Sequence, residues 1–163
     1  MHFVSDLIML YGGSAAETQM FTTHSARVKD DYTSAGEALL KAITEYDFGS
    51  KKHYMALTSD YAKSIWSSEI KYEMDNFAQK CMSISKEIIK FAQPFIEEYL
   101  HSTLSNSKKD NEQIIHSEEF KSRFNKWLKK AGKETEYKEL CRNIKQQIEE
   151  FCTEEKERQK MGF

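Results

Sequence analysis

The richest chemistry in this 163-residue chain lies between Phe120 and Lys133, read as Phe-Lys-Ser-Arg-Phe-Asn-Lys-Trp-Leu-Lys-Lys-Ala-Gly-Lys. Its six cations are Lys121, Arg123, Lys126, Lys129, Lys130 and Lys133, with no acid among them. At helical spacing Phe120, Phe124, Trp127, Leu128 and Ala131 gather on one arc, and the cations fill the rest of the circumference. Such a face can lie on an anionic membrane, follow a phosphate backbone, or contact a partner protein. It equally suits a bundle helix that buries its aromatic arc and leaves its basic face in solvent. The formal net charge is −2, so no global field draws the chain to polyanions. Any such role rests on these six residues, the candidate partner-binding set.

Other chemistry is thinner. Glu98 and His101 form a Glu-x-x-His pair, which shares a helix face, but carboxylate-bridged metal bundles use that pair twice. There is no second Glu-x-x-His, and His2, His24, His53 and His116 are scattered. A metal-dependent bundle enzyme is therefore the third reading, and neither a metal nor a cofactor is expected. Nucleophilic catalysis needs a base and an oxyanion hole beside the nucleophile. The chain has no Gly-x-Ser-x-Gly, P-loop or Gly-x-Gly-x-x-Gly motif, so no catalytic residue is assigned and no small-molecule substrate is evident. Gly12-Gly13 could offer backbone N–H groups to an anion at a helix start; the plainer expectation is a corner between helices. Cys81, Cys141 and Cys152 are odd in number and all fall on apolar seams, which predicts reduced, buried thiols and a cytoplasmic setting.

The elements that would position these residues are helices. One proline, six glycines and 31% charged residues favour long helices over sheets. The central element is predicted over 59–104. Ile70, Met74, Phe77, Cys81, Ile84, Ile88, Phe91 and Phe95 alternate steps of 4 and 3, which holds one apolar seam along a helix. Pro94 lies inside that pattern, predicting a kink near 90–93. A second long helix is predicted over 14–47 from Phe21, Ser25, Val28, Tyr32, Ala35, Leu39, Ala42 and Tyr46, with Ser14 and Glu17 as its capping box. Residues 1–13 read as a short amphipathic segment carrying Phe3, Val4, Leu7, Ile8 and Tyr11, ended by the glycine pair.

Residues 105–113 are polar and unpatterned and read as a mobile loop. A short helix follows from Ser117 to about Ala131, with Gly132 in the position where a left-handed residue closes a helix. Tyr137, Cys141, Ile144, Ile148 and Phe151 mark a third long helix from Thr135. The charged run 153–163 is expected to fray into solvent. No apolar run approaches the roughly 18 residues of a membrane span, and an acidic start without basic residues before Arg27 does not read as a signal peptide.

The sequence thus predicts a single all-α domain over 1–163: an antiparallel helical bundle of three long helices plus one or two short ones, with heptad-like, coiled-coil packing. Its expected function is that of a non-catalytic regulator, inhibitor or adaptor that binds another protein. The alternative is binding of an anionic membrane or nucleic acid through the basic helix 120–133. A homodimer is also expected, because a central helix outreaching its neighbours would leave Phe95, Tyr99 and Leu104 uncovered.

Overall fold

The computed structural model describes residues 2–21, 28–45, 68–106 and 117–160, with His2, Val28, 44–45, 68–70, 73, 104–106 and 151–160 described in backbone only. Five helices account for all of these except Gly132 and Lys133: α1 His2–Phe21, α2 Val28–Glu45, α3 Ser68–Asn106, α4 Ser117–Ala131 and α5 Glu134–Lys160. The chain is all-helical throughout the described residues, and none of these helices is long and apolar enough to cross a membrane.

Two apolar clusters share α3. In the first, Val4, Leu7, Ile8 and Tyr11 of α1 meet Ala35 and Leu39 of α2 and Phe77, Cys81 and Ile84 of α3. The α1 residues step i, i+3, i+4, i+7, so one stripe of the helix is buried. Each large side chain removed from water here contributes about 1.5–3 kcal/mol. Ser85 sits in this core at 2% exposure, and its Oγ donates to the Ile8 carbonyl oxygen at 2.6 Å. The second cluster packs Phe95 and Tyr99 of α3 against Trp127 and Leu128 of α4, with Phe91, Phe120, Phe124 and Tyr137 around them. The central seam is therefore the core, as its rhythm predicts, from the partly buried Met74 to Phe95. Ile70 and residues 59–67 lie outside the side chains described.

The N-terminal third differs from expectation. Gly12 and Gly13 do not end a short segment; α1 runs through them to Phe21. A Cβ on Gly13 would stand 3.0 Å from Asp31 Oδ2, so this glycine lets α2 approach rather than stopping α1. Nor does Ser14 cap a helix. It is buried inside α1 and shares a hydrogen bond with the Tyr32 hydroxyl, while its carbonyl accepts from Thr18 Oγ1 at 2.8 Å.

A single helix over 14–47 is excluded by the same contacts. Tyr11 and Tyr32 have ring centroids 5.8 Å apart, whereas an unbroken helix would separate residues 14 and 32 by about 27 Å. The heptad phase carries across because α1 and α2 both turn an apolar stripe to the same core. Phe21, counted on that seam, is exposed, and Ser25 and Tyr46 lie outside the described residues.

Elsewhere the helix is continuous through Pro94, whose ring is on the exposed side, with Gln93 Nε2 donating to Glu97 Oε1 at 2.8 Å across it. Gly132 has φ of 66° and closes α4 as predicted: its N–H reaches the Lys129 carbonyl at 3.2 Å, and Lys133 N–H reaches the Leu128 carbonyl at 3.0 Å. That pair of bonds is a Schellman turn. Residues 105 and 106, expected to open a loop over 105–113, are helical, since α3 extends to Asn106; residues 107–116 are outside the description. Helical backbone continues through the charged stretch to Lys160, where the sequence suggests fraying.

The argument for a dimer from an uncovered end also fails for two of its three residues. Phe95 and Tyr99 are 3% and 7% exposed, because α4 folds its aromatic arc over them. The Leu104 side chain is outside the description.

Candidate functional site

An apolar groove of about 690 Å³ opens between α3 and α5. One wall is built by Ile88, Ala92 and Ile96 of α3, the other by Tyr137, Leu140, Ile144 and Ile148 of α5. Phe120 and Phe124 of α4 reach into it, as does Ser5 near the start of α1. These residues line it because the α5 stripe repeats at 3 and 4 and so faces α3 along its length. Two bridges fix the separation of the helices. The Phe91 and Tyr137 rings stack with centroids 5.9 Å apart, and Gln147 Nε2 donates to Glu87 Oε2 at 3.2 Å. Along this wall Tyr137, Leu140, Ile144 and Ile148 stay only half-buried.

The groove continues a slot that α1 already occupies. Ile144 and Ile148 pack against the same cluster as Val4, Leu7 and Ile8. A smaller pocket of about 250 Å³, walled by Val4, Cys81, Ile84 and Ile148, lies where α1, α3 and α5 converge. Ser5 is the α1 residue among the described residues that lines this groove, whose α3 wall runs from Ile88 to Ile96. Comparison with known proteins adds nothing: no family model, curated protein or solved structure matches the chain.

Polar groups near the groove are few. Lys145 is the charged residue in its wall, 3.8 Å from Glu149, with both side chains well exposed. Cys141 lines the groove and is exposed, which corrects the expectation that it is a buried thiol; it lies on the edge of the α5 stripe rather than at its centre. Its hydrogen bond to Tyr137, together with burial, pushes the phenol pKa up. Cys81 is buried, and burial raises its thiol to about 11. The Cys152 side chain is not among those described. Tyr11, beside Cys81, is pushed up to about 12 by burial, with Cys81, Tyr32 and Asp75 adding to the shift.

The six cations singled out by the sequence all lie on α4 or just beyond it, and most have acids beside them. Lys121 Nζ is 3.1 Å from Glu118, Arg123 is 2.6 Å from Glu119, Lys130 is 3.7 Å from Glu98, and Lys133 is 3.5 Å from Glu136. Arg123 also lies over the Tyr99 ring at 5.1 Å, and Lys133 over Phe91 at 5.3 Å. Lys126 and Lys129 are exposed without an acid partner among the described residues. Glu98, half of the Glu-x-x-His pair, is thus beside Lys130, and no three His, Cys, Asp or Glu side chains converge among the described residues.

The groove itself was not read from the sequence. Leu140 was the available signal: it widens the α5 stripe beyond Tyr137, Cys141, Ile144 and Ile148, more apolar breadth than contact with α3 alone consumes.

Proposed function

We propose that the protein is a non-catalytic helical interaction module, an antiparallel bundle whose α3–α5 groove receives an apolar helical stripe from another protein. One observation carries this reading: an apolar groove of about 690 Å³ lies between α3 and α5, next to the cluster where Ile144 and Ile148 of α5 pack against Val4, Leu7 and Ile8 of α1. Helix-in-groove docking uses apolar anchors at i, i+3/i+4 and i+7. Along α5 the walls run from Tyr137 to Ile148, about 16 Å of rise, enough for two to three turns of an incoming helix.

The test is a photo-crosslinking residue placed at Ala92 inside the groove, with a control at the exposed Glu97. Protein adducts specific to the Ala92 position in a lysate of the source cells support the reading; adducts no stronger than at Glu97 sink it. A homodimer through the same groove is the self-associating version, distinguished by adducts to a second copy. The free thiols Cys81 and Cys141 fit a reducing, cytoplasmic setting.

Anionic-surface binding through α4 is the second reading, favoured by the exposed Lys126 and Lys129. Acids beside Lys121, Arg123, Lys130 and Lys133 weaken it, since they lower the local charge that counterion release would draw on.

A further inference from the structure

This inference rests on the groove's being a docking slot. We propose that its occupant is a helix of another protein carrying acidic residues along one flank of its apolar stripe, selected by Lys138, Arg142 and Lys145.

The two flanks of α5 beside the groove are chemically unlike. On one, Gln147 is tied to Glu87 of α3 at 3.2 Å, and Glu136 is beside Lys133 at 3.5 Å. On the other, Lys138, Arg142 and Lys145 step by 4 and 3 and are all exposed, forming a cationic rail about 10.5 Å long beside the apolar stripe, with Glu134 at one end of the same flank and Glu149 at the other. Neither Lys138 nor Arg142 has an acidic partner among the described residues. Among the described residues the acid beside Lys145 is Glu149 at 3.8 Å, whose side chain is 50% exposed against 71% for the lysine, a solvated pair that an incoming carboxylate can displace.

The rail's spacing matches one face of a helix. Acids at i, i+4 and i+7 on the occupant would face all three cations, whereas a single anionic head group would meet only one or two of them. A flat bilayer fits less well, because the apolar residues lie in the walls of a groove and not on a convex face.

The probes are two fluorescent synthetic helical peptides of about fourteen residues, with the same leucine stripe at i, i+3, i+4 and i+7. One carries three glutamates on the flank, the other three lysines. Anisotropy against the full chain is expected to show the glutamate peptide binding at least tenfold more tightly, with the advantage shrinking as salt rises. The surface variant K138Q/R142Q/K145Q should bind both peptides alike at the weaker, apolar level. A92F, which fills open groove space, and the independent L140Q should weaken both peptides together, with helicity checked by circular dichroism. Equal binding of the two peptides to the wild-type chain, or a preference that survives K138Q/R142Q/K145Q, overturns the acidic partner while leaving the docking slot standing. No binding of either peptide overturns both. A doubled mass by light scattering that A92F returns to monomer assigns the slot to a second copy and also overturns this proposal.

Discussion

Replacing Phe95 by alanine tests whether α3 carries two separable cores. Phe95 is 3% exposed, with ring centroids 5.1 Å from both Phe120 and Phe124 and 5.8 Å from both Trp127 and Tyr99. A buried phenylalanine removes at least about 150 Å² from water, which at about 25 cal/mol per Å² is close to 4 kcal/mol. Phe→Ala substitutions in cores cost about 3–5 kcal/mol, so the two estimates agree. Apart from the Tyr99–Phe120 and Phe91–Trp127 ring contacts, at 5.3 and 6.3 Å, the other α3–α4 ties are small. The exposed Lys130–Glu98 pair and Arg123 over Tyr99 together contribute on the order of 1–2 kcal/mol. F95A should therefore release α4 before the α1–α2–α3 cluster melts.

Trp66 and Trp127 are the two tryptophans, so a W66F background leaves Trp127 as the reporter on α4. With a urea slope of about 2 kcal/mol per molar, 4 kcal/mol moves the Trp127 transition down by about 2 M. Far-UV circular dichroism, dominated by the remaining helices, should shift much less. A Trp127 midpoint displaced by under about 0.5 M, or both probes moving together, would refute the two-core account.

Three further outcomes are expected. I84D buries a charge without a partner at a position 6% exposed, and should lower stability by several kcal/mol, read as lost helicity or a sharply lower urea midpoint; unchanged melting would deny that the seam is core. Cys81 and Tyr11 are acids whose folded pKa values, about 11 and about 12, exceed their ordinary values of 9.0 and 10.0. Above the ordinary values the unfolded chain holds fewer protons, so their stabilisation is complete below pH ~9 and is lost as pH rises through ~9–12; C81A should flatten the lower part of that decline, and a wild-type melting temperature constant over the range would contradict it. The quadruple variant K126Q/K129Q/K130Q/K133Q should keep its helicity, since glutamine is nearly as good a helix former as lysine. Neither it nor the wild type is expected to bind anionic vesicles or nucleic acid at low salt; wild-type binding that the variant abolishes would favour the second reading over the first.

The seam from Met74 to Phe95 and the turn at Gly132 were legible because each is written locally. A 4-3 rhythm buries one face of any helix it occupies, and a left-handed position needs glycine whatever surrounds it. The fold-back between α1 and α2 was not. Residues 22–27, Thr-Thr-His-Ser-Ala-Arg, contain neither glycine nor proline, and the apolar phase carries across them. Gly12-Gly13 pointed the wrong way for a related reason: each glycine costs about 1 kcal/mol in a helix, but burial of the flanking Tyr11, Ser14 and Ala15 outweighs that cost. The groove was illegible because its existence depends on how far apart α3 and α5 stand, and spacing along one chain does not encode the distance between two helices. The cationic rail on α5 was visible as Lys138, Arg142 and Lys145, but only the bridge from Gln147 to Glu87 distinguishes its flank from the opposite one.

The hydroxyl of Ser85 has a consequence for how α1 is indexed. A helix in an apolar trough meets little steric resistance to small sliding movements. Moving α1 by half a turn, about 2.7 Å, would keep much of its stripe of Val4, Leu7, Ile8 and Tyr11 against the same wall. Apolar contact is tolerant of such a shift; a hydrogen bond is not. The bond from Ser85 Oγ to the Ile8 carbonyl would be broken by such a half-turn slip, leaving a hydroxyl stranded where only 2% of the residue meets solvent. At about 1–3 kcal/mol for an unsatisfied buried group, the slipped register would be outnumbered roughly 5- to 150-fold. One oxygen atom thus works as a detent, giving a greasy rail stopping points one helical turn apart.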